Sequence, residues 1–302
     1  MVERGFAGFP VITSTEDIAD ADVAVIGIPM GVSYPGRSPH SATAPTTIRQ
    51  QSRRLGRFLD HYDFTFGRQL MSRKPVKVVD VGDVPVVTAD RQHATSTAAV
   101  GRILQAGAKP LVLGGDHSIP IPVLRAFAAE PPVTVILIDA HIDYRDEVDG
   151  EREGLSSGMR RAMELPWVDS VVQIGVRGSG SARVADVEDA LQAGCTPIPA
   201  LDIHLQGIEA LLDRIPPGQR YYVSLDMDGF DPAVAPGVGS PSVGGLTYPQ
   251  VFRLLQHVAA VGEIVGMDIV ELAPANDVND LTSLLAARVA LDTIDLMTQP
   301  QP

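Results

Sequence analysis

The chain has 302 residues, 45% of them hydrophobic, so it is long enough to bury one large core or two modest ones and is not a disordered protein. Its formal net charge is −13 and no basic stripe is visible, which argues against nucleic acid and anionic membranes as partners and favours a small cationic ligand. Cys195 is the only cysteine, so no intrachain disulfide can form and a cytoplasmic location is expected. No stretch reaches the roughly 18 apolar residues that a transmembrane helix needs.

Apolar, β-branched runs alternate with amphipathic or Ala-rich segments along the chain. Strands are predicted at residues 22–28, 76–80, 111–113, 133–138, 171–175, 196–199, 221–225 and 263–269. Helices are predicted at residues 88–108, 181–193, 248–261 and 280–297. Strands of this kind, alternating with helices, are typical of a parallel sheet covered on both faces. Periodicity leaves a closed (β/α)₈ barrel and an open three-layer sandwich as alternatives. No repeat or linker is visible, so we expect a single domain over residues 1–302.

Three acidic segments follow predicted strands: GGDH at residues 114–117, DAHID at 139–143 and DMD at 226–228. Ligands of parallel α/β proteins bind at the carboxyl ends of the strands, so these segments are expected to meet. A lone Asp-x-Asp is more often a solvated loop or a helix cap, but the three segments together offer several carboxylates and two imidazoles. Such donors suit Mn²⁺-like ions, and their number suggests two ions. Two such ions make water a nucleophile at neutral pH, so the sequence predicts a hydrolase.

These segments and their neighbours resemble the ureohydrolase family, which comprises arginase, agmatinase and related amidinohydrolases. The resemblance spans roughly residues 22–295, and its main motifs are GGDHS at 114–118, DAHID at 139–143, SLDMDGFDP at 224–232 and GMDIVELAP at 266–274. It implies a three-layer α/β/α sandwich with a parallel sheet of about eight strands. It also implies a binuclear site for two Mn²⁺ ions, with Ni²⁺ or another divalent metal as alternatives.

By position in these motifs, the resemblance implies six metal ligands. One ion is expected at His117, Asp139, Asp143 and Asp226. The other is expected at His141, Asp139, Asp226 and Asp228. Asp139 and Asp226 would then bridge the two ions.

The resemblance also implies two roles around the reacting group. Asp143 is expected to relay a proton to the leaving amine. Glu271 is expected to pair with the guanidinium nitrogens of the substrate and fix its orientation.

The loop after the DAHID segment departs from the agmatinase type, which usually carries a His-Gly pair there. Ser157 stands where that histidine is expected, and a hydroxyl does not transfer protons near neutral pH. The same loop is rich in charges of both signs. Arg145 or Arg152 is therefore a candidate to bind a substrate carboxylate. Alternatively, an acidic side chain of the same loop could bind a distal amine of the substrate. His40, in the predicted rim loop over residues 34–44, is a candidate for the missing imidazole.

The resemblance implies hydrolysis of a guanidino compound to urea and an amine, with an agmatine-like substrate expected first. Because the loop is altered, a guanidino acid or a formimino compound is the second expected substrate. A third alternative is a weakly active metal-binding subunit that supports an active paralogue. The family resemblance further implies a homo-oligomer, a trimer or a hexamer.

Overall fold

The computed structural model describes residues 5–12, 18–31, 34 and 39–299. Within these residues the strands are β1 (Val23–Ile28), β2 (Tyr62–Asp63), β3 (Arg68–Gln69), β4 (Val78–Asp83), β5 (Lys109–Gly114), β6 (Val133–Ile138), β7 (Val168–Val176), β8 (Thr196–Pro199), β9 (Arg220–Asp226) and β10 (Glu263–Val270). The α-helices are α1 (Ala44–Gly56), α2 (Ala89–Gln105), α3 (Pro120–Ala126), α4 (Gly158–Met163), α5 (Val184–Gln192), α6 (Ala200–Gln206), α7 (Tyr248–Val261) and α8 (Leu281–Met297).

Eight of these strands form one parallel sheet in the order β4-β1-β5-β10-β9-β6-β7-β8. β4 and β8 lie at opposite edges, so the sheet is open and is not a barrel. β2 and β3 form a separate antiparallel hairpin. The predicted α/β/α sandwich with about eight parallel strands is therefore confirmed.

Two hydrophobic cores lie on the two faces of the sheet, because successive side chains of a strand point in opposite directions. In β5, Leu111 and Leu113 belong to the core under α1, α7 and α8, whereas Val112 belongs to the core under α2, α3 and α4. β6 divides in the same way, with Ile136 on the first side and Val135 on the second. These strands are buried on both faces, which explains their continuous apolar runs.

The structure agrees with the predicted strands at 133–138 and 196–199 and with the predicted helix at 248–261, residue for residue. Other predicted strands differ by a few residues at their ends; the strand predicted at 76–80 is displaced to Val78–Asp83. Periodicity did not predict α1, α3, α4 or α6. α3, α4 and α6 have only six or seven residues each, and α1 has few apolar residues to mark a buried face.

The four strands in the middle of the sheet, β5, β10, β9 and β6, are neighbours in that order. The three acidic segments leave the carboxyl ends of β5, β6 and β9, so the topology brings them to one stretch of the sheet edge. Among the described helices, none combines the length and the apolar character needed to cross a membrane.

Candidate metal centre

The imidazole of His117, which follows β5, lies among carboxylates from two other strand ends. Its Nδ1 is 3.1 Å from Asp139 Oδ2, 2.9 Å from Asp143 Oδ2 and 3.0 Å from Asp226 Oδ2. All four side chains are buried. The structure thus brings together the four residues that the sequence predicts for the first ion.

A second group shares Asp139 with the first. His141 Nδ1 lies 3.3 Å from Asp139 Oδ1 and 3.3 Å from Asp228 Oδ2. The two oxygens of Asp139 therefore face different imidazoles, as a residue between two ions would. Asp226 lies in the first group, and its predicted bridging role stays a prediction.

Local backbone structure orients these carboxylates. One oxygen of Asp226 accepts a hydrogen bond from Asp228 N at 2.7 Å, and one oxygen of Asp228 accepts from Ala140 N at 3.2 Å. The other oxygen of each side chain is left facing an imidazole. Asp143 has a φ of 45°, in the left-handed region that non-glycine residues seldom adopt and that aspartate tolerates better than most.

A hydrogen-bond chain behind His117 determines which ring nitrogen faces the carboxylates. Tyr222 and Ser224 both donate their hydroxyl hydrogens to Asp268, at 2.5 and 2.7 Å. Because the Ser224 hydrogen is used there, its oxygen accepts from His117 Nε2 at 3.0 Å. In the neutral imidazole, a proton on Nε2 leaves Nδ1 with a lone pair, the arrangement found in metal-ligating histidines whose other nitrogen is hydrogen-bonded.

The cluster fits divalent ions by its donors and by its charge. His117 Nδ1 and Asp139 Oδ2 are buried and have no hydrogen-bond partner among the described atoms. Burial, and after it the neighbouring carboxylates, raise the pKa of Asp226 and of Asp228. Burial lowers the pKa of His117, but the carboxylates around it raise that pKa well above its usual value. Four carboxylates this close cannot all stay ionised unless positive charge lies between them.

A cavity of about 260 Å³ opens above the cluster. This volume is below the range that accepts drug-sized molecules, so the cavity suits a small ligand. Glu271 lies in its wall with a φ of 63°. Its Oε1 accepts from His117 N at 2.8 Å and its Oε2 lies 2.6 Å from His40 Nε2. His40 therefore reaches the neighbourhood of the cluster, whereas guanidinium binding by Glu271 stays a prediction.

The three candidate substrate-binding residues are placed differently. Arg145 lines the cavity. Arg152 has a side chain 55% exposed and donates to Asp146 at 2.9 Å, and it is not among the described residues of the cavity wall. Ser157 is completely buried and is likewise not among those residues. Substrate contacts of Arg152 and Ser157 stay predictions.

Sequence reasoning missed part of the cavity wall, namely Tyr34, Val148, Leu155, Ser156, Ser181 and Ser240. Val148 lies in the same loop as the predicted Arg145 and Arg152, and Leu155 and Ser156 are close neighbours of the predicted Ser157. The others come from separate rim loops and carry no motif, so nothing in the sequence pattern marked them.

The open sandwich with this cluster at its carboxyl edge defines a metal-dependent hydrolase of the α/β/α class. A sequence model of the arginase family matches residues 21–295, and the chain belongs to that family. Membership implies a binuclear divalent metal centre, and the described residues include candidate ligands for it.

Known proteins agree with this assignment. Guanidinobutyrase of Pseudomonas aeruginosa is 32% identical over 295 residues, covering 94% of this chain and 89% of that protein. Mitochondrial agmatinase of Gallus gallus is 33% identical over 293 residues, covering 94% and 83%. The solved structure of proclavaminate amidino hydrolase from Streptomyces clavuligerus has 27% identity and a TM-score of 0.84, covering 98% of this chain and 97% of that one.

Proposed function

We propose that this chain hydrolyses a linear guanidino compound to urea and an amine at a binuclear divalent metal centre. The observation that carries the proposal is the meeting of six acidic and imidazole side chains from three strand ends beneath a small cavity. Membership of the arginase family supports the reaction class.

The side chains divide the work of this reaction. His117, His141, Asp139, Asp143, Asp226 and Asp228 would hold the ions. Bound divalent ions supply a nucleophile from water at neutral pH. Glu271 would orient the guanidinium group through charge-assisted hydrogen bonds. Asp143, which faces the cavity, would carry a proton to the amine nitrogen as its bond to the guanidinium carbon breaks.

Overall similarity does not identify the chemical group at the end of the substrate opposite the guanidinium group. A protein named guanidinobutyrase and one named agmatinase resemble the chain almost equally, so the agmatine-like and guanidino-acid expectations both remain. The complete predicted ligand set favours an active enzyme over a metal-holding subunit with weak activity.

Urea release tests the reaction. The purified chain is loaded with Mn²⁺ and assayed with agmatine, arginine, guanidino acids of different lengths and a formimino amino acid. We expect urea from at least one guanidino compound. Absence of urea from every guanidine, with two ions bound per chain, would contradict the proposal and favour the supporting subunit. Formamide and the free amino acid released from the formimino compound alone would indicate that substrate class.

We further propose Mn²⁺ as the ion, because oxygen donors outnumber nitrogen donors in the cluster. Ni²⁺ or another divalent ion is the alternative, and competitive loading followed by elemental analysis separates them.

A homo-oligomer, a trimer or hexamer, is proposed from the family resemblance, and light scattering with size exclusion measures it. The cytoplasm is proposed as the compartment on the basis of the single cysteine.

A further inference from the structure

We propose that Arg145 binds a carboxylate at the far end of the substrate, so that the chain prefers guanidino acids to guanidino amines such as agmatine. This inference rests on the proposed function, because it concerns the same cavity. It makes Arg145 a specificity-determining residue two positions after the candidate ligand Asp143.

The guanidinium of Arg145 is held in place by the protein. Its Nη1 donates to the carbonyl oxygen of Ser181 at 2.9 Å, its Nη2 to that of Glu147 at 3.4 Å, and its Nε lies 3.4 Å from Asp186 Oδ2. The backbone N of Arg145 donates to Ser156 O at 2.9 Å, which closes the loop. Only 13% of the side chain is exposed. A group fixed in advance loses little conformational entropy when a ligand binds.

The contacts of this guanidinium leave room for a carboxylate. Arginine has five N–H donors, and the three contacts above use one donor on each nitrogen. One N–H on Nη1 and one on Nη2 remain, which matches in number the two oxygens of a carboxylate. Asp186 balances part of the positive charge, but at 3.4 Å its contact with Nε is long for a charge-assisted hydrogen bond.

The charges of the cavity wall match a ligand with a positive and a negative end. Glu271 and the carboxylates of the cluster lie where the guanidinium group would react. Arg145 is the one arginine or lysine among the described residues of the wall, and the hydroxyl-bearing Ser156, Ser181 and Ser240 also line it. The ammonium group of agmatine would meet a like charge at Arg145, which disfavours binding.

Paired substrates that differ only at the far end test this inference. 4-Guanidinobutyrate and agmatine have the same four-carbon chain. Guanidino acids one carbon shorter and one carbon longer test whether the cavity fits a chain of another length. With the Mn²⁺-loaded wild type we expect the highest kcat/KM for one of the acids. Arg145→Met is expected to lower kcat/KM for that acid at least about 30-fold, mainly through KM, because it removes one partner of a charge pair. Agmatine turnover should stay within a few-fold or rise.

Two further variants separate charge from structure. Arg145→Lys keeps the charge and should recover part of the acid activity. Arg54→Met removes one positive charge from the exposed surface of α1 and should leave the ratio of acid to amine activity unchanged. If Arg145 only supports the loop, Arg145→Met would reduce acid and amine activity equally, and that result would overturn the inference. Preference of the wild type for agmatine over every acid would overturn it as well.

Binding of the amine products gives a readout that does not require turnover. Calorimetry of the metal-loaded chain is done with 4-aminobutyrate and with 1,4-diaminobutane. We expect tighter binding of 4-aminobutyrate, lost in Arg145→Met. Asp186→Asn removes the balancing charge and should tighten 4-aminobutyrate binding a few-fold. Failure of the proposed function would show as no urea from any guanidine, whereas failure of this inference would show as urea release or amine binding that is indifferent to Arg145.

Discussion

His117 illustrates how single residues prepare the candidate metal site. Its Nε2 donates to Ser224, whose own hydrogen goes to Asp268, so its Nδ1 is directed at three carboxylates and is the nitrogen that could ligate an ion. Ser224 and Asp268 contribute no atom to the predicted ligand set. They act through the orientation of the imidazole.

Replacing Ser224 should therefore weaken metal binding without removing a ligand. For Ser224→Ala we expect about a 10- to 100-fold loss of Mn²⁺ affinity, the usual effect of losing the hydrogen bond behind a ligating histidine. Calorimetric titration of metal-free protein with Mn²⁺ measures it. Thr134→Ala, which removes a buried hydroxyl from β6 that faces Ser170, is the matched control and should bind Mn²⁺ normally. Equal affinity in wild type and Ser224→Ala would contradict the orienting role.

Asp143 should matter more for turnover than for folding. Asparagine tolerates the left-handed backbone that Asp143 adopts at a φ of 45°, so Asp143→Asn should leave the fold intact. We expect kcat to fall by about 10³-fold or more, because the side chain can no longer carry a proton. Urea assays together with circular dichroism test this. Near-normal kcat would exclude the proton relay.

Among the elements, the loop that follows β9 depends on a residue at the end of β7. Arg177 donates to the carbonyl oxygens of Asp228 at 2.6 Å, of Phe230 at 3.1 Å and of Ser242 at 2.7 Å. It also donates to Gly175 and Gly229, at 3.0 and 3.3 Å. Arg177 thus joins the loop that carries Asp228 to the loop around residue 242.

Loss of these bonds should loosen the second ligand group. For Arg177→Met we expect unfolding to become easier by about 2–4 kcal/mol, since several carbonyl oxygens lose a charged donor. We also expect Mn²⁺ to dissociate faster from this variant than from wild type. Urea denaturation and stopped-flow chelation measure the two effects. Arg177→Lys should have a stability and a Mn²⁺ dissociation rate between those of wild type and Arg177→Met. Wild-type behaviour of Arg177→Met would show that the loops hold their positions without Arg177.

The rim loop between β6 and α4 is tied to α2 and α3 through Glu153. His93 Nδ1 lies 2.7 Å from Glu153, and Arg125 donates to it at 2.5 and 3.1 Å. The hydrogen bonds with His93 and Arg125 hold the pKa of Glu153 below its usual range.

This shift predicts how stability depends on pH. Because the folded-state pKa is lower than the unfolded value near 4.3, the contribution of Glu153 is complete above about pH 4.3 and declines as the pH falls further. Because the Glu153 side chain is partly exposed, its contribution to the free energy of unfolding is small, about 1 kcal/mol. The difference in unfolding free energy between wild type and Glu153→Gln should be constant from pH 7 to 5 and shrink below pH 4.3. A difference that grows on acidification would contradict this sign.

What the sequence predicts at this scale follows from the kind of signal each element carries. β6 was predicted to the residue because it is buried on both faces and reads as one apolar run. α3, with seven residues, is stabilised by packing and begins at a proline, so it has too few turns to display an apolar face. The six candidate ligands were predictable because each lies within a short motif at a strand end. Part of the cavity wall was not, because Tyr34, Ser181 and Ser240 come together only through the tertiary fold.

At the scale of the whole molecule, the site depends on strand order. The acidic segments are spread over residues 114–228 of the chain, yet β5, β10, β9 and β6 lie side by side and bring the segments together. These four strands belong to one continuous sheet of eight strands, so we propose that residues 1–302 form one domain. The site should consequently be lost together with the global fold and not before it.

The most direct test of the central claim is the number of divalent ions that the chain binds. The chain is stripped with chelator, reloaded with Mn²⁺, desalted and analysed for metal and protein. We expect two ions per chain in wild type, with a rise in Tm on loading because only the folded state has the site. Asp139→Ala, which removes the residue shared by both groups, should bind neither ion and show no such rise. Wild type with one ion or none, or Asp139→Ala with two, would contradict the binuclear centre.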